Sequence, residues 1–397
     1  MAAFKPKKAS TPRIVVLTSS DFPYYAAPES FVRQMAYGLV ENGVNLKVVR
    51  YWGDRYSNKN DTGIDCADYL FVRPAKNEFV KFLEFGIKLV YLPFFVGYCK
   101  WFDKRSAILL YGLDSSIFLV PAILCSKLFR IKLFRVITEI YLPDTYAKSW
   151  WRKPQIYFRE WQLKYFDRFM DGVIVLSTSL RDLLVSNRVR PSNILLNPHF
   201  IDMGIVSEKK TDPVFRVGFG GTPTIGNGIT DLIDAFNIFA AKVPSAELLI
   251  VGKIPSILNK ALNIEIAGNS AIRVTGQLGY KDVIKSLSTC SVLVNPRRAG
   301  LPADTGFPTK VGEYFALKKP VINTFCGDLT LYLNDKEEVF FAEPNSPSSL
   351  ADVILYAYNH PELSLAVGNA GYKWALRNLE YIRNTKKLIA FMQLGVV

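Results

Sequence analysis

Apolar and polar positions along this chain follow a rhythm that runs through once and then restarts. Arg13–Thr18 (Arg-Ile-Val-Val-Leu-Thr) is a nearly unbroken apolar run, the pattern of a parallel strand buried on both faces. After the loop Ser19–Pro28 the period changes. Across Glu29–Asn42, Phe31, Met35, Leu39 and Val40 recur at helical spacing, and Gly43 ends the segment. Leu46–Tyr51 predicts a second strand. Ile108–Tyr111, Phe134–Thr138 and Gly172–Leu176 predict three more, separated by helical stretches. The rhythm restarts near residue 214. Phe215–Phe219 reads as a strand, Gly220–Gly228 as a glycine-rich loop, and Thr230–Lys242 as a helix with Leu232, Ile233, Ala235, Phe236 and Phe239 inward. Glu247–Val251, Ile272–Thr275, Val292–Asn295 and Pro320–Thr324 follow as strands, and a long last helix is expected from about Asn369 to Leu394. Strand alternating with helix implies α/β units with doubly wound parallel sheets. The spacing therefore predicts two successive Rossmann-like units, residues 1–197 and 198–375, with a junction near Ile194–Pro213. Such sheets bind ligands beyond the carboxyl ends of their strands, which here means a cleft faced by both units.

Composition narrows this picture. At 397 residues the chain is too long for one ordinary core. With 49% hydrophobic and 21% charged residues it is globular rather than disordered. Its five cysteines are scattered without a Cys-x-x-Cys pair, which argues for a reducing cytoplasm and against disulfides or zinc. Two histidines are too few for a metal cluster, and His199, in the loop Asn197-Pro198-His199, reads as structural. No secretory leader is visible before the first strand, and no run reaches the roughly 18–20 apolar residues of a membrane span. The nearest, Leu89–Cys99, is too short to cross.

Charge adds an asymmetry. Residues 1–200 hold 29 Lys and Arg against 17 Asp and Glu, net +12, while the remainder carry 20 against 18, net +2. A basic first half suggests an anionic partner. Between Lys81 and Arg105, Phe82, Phe85, Tyr91, Phe94, Phe95, Tyr98, Trp101 and Phe102 are interleaved with Lys88, Lys100 and Lys104. Such a segment suits the plane of an anionic bilayer surface, and equally a core helix with lysines on its wet face. Nothing resembles a nucleic-acid recognition motif, so no nucleic-acid partner is expected.

The chemistry concentrates in Gly306-Phe307-Pro308-Thr309-Lys310-Val311-Gly312-Glu313-Tyr314-Phe315-Ala316-Leu317-Lys318-Lys319-Pro320-Val321-Ile322. A turn delivers Lys310 and Glu313 to the start of a helix that ends before a Pro-Val-Ile strand. Unpaired N–H groups at a helix N-terminus attract anions, a lysine beside them favours phosphate, and a carboxylate accepts from ribose or sugar hydroxyls. The loop Gly218-Phe219-Gly220-Gly221-Thr222-Pro223-Thr224-Ile225-Gly226-Asn227-Gly228, between a strand and a helix, lets backbone approach a phosphate at Gly220, Gly221 and Thr222. Arg297 and Arg298 follow the strand at Val292–Pro296, where each is either a phosphate contact or a solvated surface arginine, and Lys253 is a further candidate cation. Glu139, at the end of the strand before Ile140-Tyr141-Leu142-Pro143-Asp144, is either a substrate contact or a paired structural carboxylate. Asp21, in the first loop, Glu29 and Asp304 complete the candidate polar groups. There is no Ser/His/Asp set and no Gly-x-Ser-x-Gly.

The stretch from Phe307 to Ile322 resembles the donor-site motif of glycosyltransferase family 4, retaining enzymes of the GT-B fold, in its FPxKxxEYxAxGxPVI form. Lys318 or Lys319 stands where glycine is usual. The resemblance covers roughly residues 12–390. It implies a nucleotide-diphosphate-sugar donor held by Gly220, Gly221, Thr222, Arg297 and the run Gly306, Phe307, Pro308, Thr309, Lys310 and Glu313, with Lys310, Glu313 and Glu139 closest to the chemistry. It implies no cofactor and no metal, and a C-terminal helix, 376–397, crossing back onto the first domain. The family usually has basic residues in the glycine loop, where this chain has Gly221 and Asn227. Many members have a glutamate eight residues before Glu313, where this chain has Thr305 beside Asp304. The expectation is a cytoplasmic, peripherally membrane-bound enzyme acting on a lipid-diphosphate-linked acceptor in polysaccharide or lipopolysaccharide assembly. A non-catalytic partner subunit of the same fold, or a nucleotide-sugar epimerase, are the alternatives.

Overall fold

A computed structural model describes residues 12–18, 27–50, 52–53, 65–67, 71–72, 92–101, 103–112, 116–140, 153–204, 214–254 and 269–393. They form two compact units. The first contains the chain through Phe200, apart from residues 25–27, and takes it up again from Tyr381. The second holds Ile201–Glu380.

In the first unit, β1 (Arg13–Thr18), β2 (Asn45–Arg50), β3 (Asp65–Ala67), β4 (Ala107–Tyr111), β5 (Lys132–Ile137), β6 (Gly172–Val175) and β7 (Ile194–Leu196) make one parallel sheet in the order β3-β2-β1-β4-β5-β6-β7. Ile14 to Leu17 are wholly buried, as expected for a strand covered on both faces. Helix α1 (Ala27–Glu41) buries Phe31, Val32, Met35, Ala36 and Leu39, one apolar stripe at helical spacing. Helices α2 (92–101), α3 (Ser116–Phe129), α4 (Lys153–Trp161) and α5 (Thr178–Ser186) complete the layers. Helix α4 runs on into one π-turn, Gln162–Phe166, and a 3-10 turn, Asp167–Phe169. Behind these turns, Arg135 of β5 donates from Nη1 to both carboxylate oxygens of Asp167 at 2.7 Å, and Gln162 Nε2 donates to the same group. The junction expected at Ile194–Pro213 therefore begins as a strand, since β7 pairs with β6.

In the second unit, β8 (Arg216–Gly220), β9 (Glu247–Val251), β10 (Ile272–Val274), β11 (Val292–Asn295), β12 (Val321–Thr324) and β13 (Phe340–Ala342) form a parallel sheet in the order β10-β9-β8-β11-β12-β13. Helices α6 (Ile229–Ala240), α7 (Tyr280–Ser288), α8 (Leu301–Thr305), α9 (Thr309–Ala316), α10 (Pro347–Asn359) and α11 (Pro361–Asn378) connect or flank the strands. Phe219, Leu232, Phe236, Ile250, Val294 and Ile354 are each fully buried in one cluster between helices and sheet.

The expected single last helix is two. Helix α11 stops at Asn378 and α12 (Tyr381–Met392) begins anew. The Leu379 carbonyl, which an unbroken helix would offer to residue 383, accepts instead from Ile201 N–H at 2.8 Å, and Ile201 also bridges Glu380. Helix α12 is seated in the first unit. Asn42 Nδ2 donates to the Ile382 carbonyl and to Thr385 Oγ1 at 2.9 and 2.8 Å, and Lys132 Nζ donates to the Met392 carbonyl at 3.0 Å.

Candidate functional site

Strand order in the second sheet reverses between β8 and β11, which pair directly. A reversal parts the two connecting loops at the carboxyl ends and leaves a crevice there. The loop after β8 begins at Gly221, and the loop after β11 carries Arg297 and Arg298.

The glycine loop is closed on itself more than its composition suggests. Gly221 N–H donates to the Val251 carbonyl, Gly228 N–H to Ile225, and Ile229 N–H to Thr224. Asn227 donates from its backbone to Thr224 and from its side chain to the Thr222 carbonyl. Gly228 takes φ +71° with the Pro296 carbonyl where a Cβ would stand, so only glycine fits there. Exposed Gly221 and Thr222 remain at the mouth, and Thr222 N–H makes no hydrogen bond among the described residues. The strand and turn thus already engage the N–H groups of Gly221, Asn227, Gly228 and Ile229.

Helix α9 supplies the charge. No side chain caps it at Pro308, and Val311, Tyr314, Phe315 and Ala316 bury its apolar face. Tyr314 reaches back to the glycine loop. Its hydroxyl accepts from Gly220 N–H at 2.8 Å and donates to the Gly220 carbonyl at 3.3 Å. One turn earlier, Lys310 lays its Nζ over the Phe219 ring, 4.2 Å from the centroid. That nitrogen is buried and has no hydrogen-bond partner among the described residues, although the residue as a whole is partly exposed. A Cβ added to Gly221, at φ +112°, would lie 3.7 Å from Lys310 Cε and Nζ, so the amine sits directly beneath the open end of the loop. Burial pushes the Lys310 ammonium down to about 7, Arg297 nearby lowers it further, and Glu313 opposes both. A buried cation without an anion is costly unless an anion arrives.

The remaining candidate donor-side residues are engaged to different degrees. Gly306 N–H donates to the Pro302 carbonyl at 3.1 Å and so is not offered to a ligand. Phe307 and Pro308 are buried, Thr309 is partly buried, and Thr305 Oγ1 donates to the Leu301 carbonyl at 2.7 Å. Asp304 is exposed on the five-residue helix α8. Arg297 donates from Nη2 to the Pro302 carbonyl at 2.8 Å. Arg298 is committed to Asp231, with a further bond to Thr230, so it braces the start of α6. Lys318 takes φ +56° just past α9, which identifies it rather than Lys319 as standing at the glycine position.

In the first unit, Glu139 lies two residues beyond β5, partly buried, and its backbone carbonyl accepts from Arg159 Nη2 at 2.7 Å. His199 is buried, its Nδ1 is 2.9 Å from the Phe200 carbonyl, and it stands edge-on to Phe31. Burial pushes its imidazole down to about 4, which suits a neutral structural residue. Asp21, and the side chain of Glu29 at the start of α1, lie outside the described residues. Lys253 is described and exposed. Sequence reasoning missed Phe219 as the ring under Lys310 and the Tyr314 hydroxyl as the tie from α9 to Gly220. Gly220 and Tyr314 are 94 residues apart, and only the sheet brings them together.

Residues 215–360 match the family described as glycosyl transferases group 1. No curated protein sequence matches the chain. Among solved structures, Anabaena Alr3699/HepE in complex with UDP-glucose is similar at a TM-score of 0.72 and 15% identity, over 96% of this chain and 99% of that one. Sucrose-phosphate synthase from Thermosynechococcus elongatus is similar at 0.72 and 15%, over 96% and 98%. WaaG, a glycosyltransferase involved in lipopolysaccharide biosynthesis, is similar at 0.68 and 12%, over 96% and 99%. The fold is that of the GT-B glycosyltransferases. The match of residues 215–360 to the group 1 glycosyl transferases supports glycosyltransferase as the enzyme class.

Proposed function

We propose that this chain is a retaining glycosyltransferase of family 4, in the branch with the Phe-Pro-x-Lys motif. It moves a sugar from a nucleotide-diphosphate sugar to a lipid-diphosphate-linked acceptor in polysaccharide or lipopolysaccharide assembly. It works at the cytoplasmic face of a membrane without spanning it, and needs neither metal nor cofactor. One observation carries this reading. The Lys310 amine is buried, without a hydrogen-bond partner, beneath the exposed backbone of Gly221 and Thr222. A diphosphate lying on Gly221 and Thr222 would give that amine its missing partner, and the first turn of α9 would add its dipole. As the sugar–phosphate bond breaks, negative charge grows on the leaving phosphate. A preorganised ammonium in a site shielded from water stabilises that charge more than it stabilises the bound donor. Glu313, on the same helix face as Lys310, is assigned to a ribose or sugar hydroxyl. Departure and attack on the same face of the sugar would retain configuration. Glu139 is assigned to the acceptor side.

The test is nucleotide binding by thermal shift, against UDP, GDP, CDP, ADP and their sugars. UDP heads the series because HepE was solved with UDP and UDP-glucose. Stabilisation should grow with ligand concentration. Lys310→Met should keep the fold and lose the shift, and turnover should fall about 10²- to 10³-fold, as for removal of one preorganised donor. Unchanged turnover in Lys310→Met would sink the assignment. Folded protein that responds to no nucleotide would favour the non-catalytic partner subunit, a reading supported by the absence of a basic side chain in the glycine loop.

A further inference from the structure

Helix α2 is apolar on two sides. Leu92, Phe95, Val96 and Cys99 are buried in the core of the first unit. Phe94, Tyr98 and Trp101, at spacings of four and three, form a second stripe that is 73%, 49% and 65% exposed. An ordinary surface helix presents charge on that stripe. The apolar surface continues onto α3. Trp101 packs edge-on against Phe129, with ring centroids 4.6 Å apart, and Leu124 and Leu128 stand 66% and 74% exposed one turn apart. Helix α4 and its π-turn pack on α3 and expose Trp161 and Tyr165, and the 3-10 turn that follows exposes Phe169. Exposed aromatic and aliphatic side chains on three elements that pack on one another are more than the scattered apolar residues of a typical monomer.

Cations are set among these rings. Lys164 lies over Tyr165 at 5.2 Å and Arg168 over Phe169 at 4.9 Å. Lys100 Nζ donates to the carbonyl of Arg130, itself exposed at the end of α3. Among acidic groups here, Asp171 is paired with Lys127 and Asp103 with Arg105, and Glu160 is exposed. The buried Arg135–Asp167 pair anchors the turn that displays Trp161, Lys164 and Arg168.

We infer that this face of the first unit is the docking surface for an anionic lipid bilayer. It deepens the membrane-facing part of the proposed function and is independent of its enzymatic part. Aromatic side chains with cations at their edges match the headgroup boundary, where rings enter the acyl region and ammonium and guanidinium groups meet lipid phosphates. A second copy of this chain is the poorer occupant, because pairing the face with itself would oppose like charges.

The test is co-sedimentation of the full-length protein with phosphatidylcholine vesicles and with equimolar phosphatidylcholine–phosphatidylglycerol vesicles, read together with tryptophan emission. Binding is expected with the anionic vesicles, with a blue shift, and weakly or not at all with the neutral ones. Trp101→Ser/Leu128→Ser and Lys164→Glu/Arg168→Glu should each lower the partition coefficient about tenfold or more, with melting temperature and nucleotide-induced shift unchanged. Wild-type-like binding by both variants would overturn the assignment. So would no binding by the wild type, or a dimer by light scattering that Trp101→Ser/Leu128→Ser dissociates. Vesicle binding without any nucleotide response would leave this surface standing and sink the enzyme.

Discussion

Two cations taken out of water, Arg135 in the first unit and Lys310 in the second, are treated in opposite ways. Arg135 is 1% exposed and held by Asp167 in a two-oxygen pair, with Gln162 on the same carboxylate. Its charge is answered inside the fold, and the result is a fixed turn. Lys310 Nζ lies over the face of Phe219 without a hydrogen-bond partner among the described residues, and Glu313 is near enough to oppose its loss of charge. A closed pair is structure, whereas a cation left open beside exposed backbone is capacity for a ligand. Burial alone therefore does not mark a functional charge, and the lack of a hydrogen-bonded internal counter-ion is the sharper sign.

The comparison breaks first at Asp167. Asp167→Ala strands a buried guanidinium and should destabilise the chain by about 3–5 kcal/mol, read from denaturant unfolding. Replacing Arg135 and Asp167 together by apolar residues of similar size should cost much less. Equal costs would show that packing, not charge, dominates there.

Lys310 should respond to pH instead. Its folded value is depressed from 10.5 to about 7, so the unfolded chain binds more protons between those limits. Stability should therefore rise with pH across that window and have nothing further to lose from this group below 7. A diphosphate favours the ammonium, so its binding should take up a proton. Affinity should fall above pH 7 with a slope approaching ~tenfold per unit. Calorimetry in buffers of differing ionisation heat measures the uptake, and Lys310→Met should abolish it. A flat profile in the wild type would mean that the amine is already charged or never meets the phosphate.

The smallest effect concerns a surface cation. Lys318 holds φ +56° and lies over the Tyr372 ring at 4.5 Å. Lys318→Gly relieves the left-handed strain but loses the ring contact and gains unfolded-state entropy. The net should be a stabilisation of ~0.5 kcal/mol in thermal unfolding. Destabilisation would rank the ring contact above the backbone term.

Much of this architecture is legible in the sequence because buried parallel strands are continuous apolar runs. Glu247–Val251 and Val292–Asn295 read off with their observed limits. The edge strands Asp65–Ala67 and Phe340–Ala342 do not, although the equally short edge strand Ile272–Val274 reads to within one residue. Lys310 and Glu313 are visible because their motif is contiguous. The commitment of Arg298 to Asp231, 67 residues away, is invisible until the sheet forms, and so is the sealing of the glycine loop by its own turn. The stripe of Phe94, Tyr98 and Trp101 lies within the aromatic, basic segment singled out from sequence. Its extension over Leu124, Leu128 and Trp161 exists only in the folded unit.

The seating of α12 has a temporal side. Residues 381–392 belong to the first unit but follow every residue of the second. During synthesis from the N-terminus the second unit therefore has its whole sequence first. The first unit, although begun earlier, keeps the α12-facing groups of Asn42, Lys132 and Gly172 open to water until the final helix arrives.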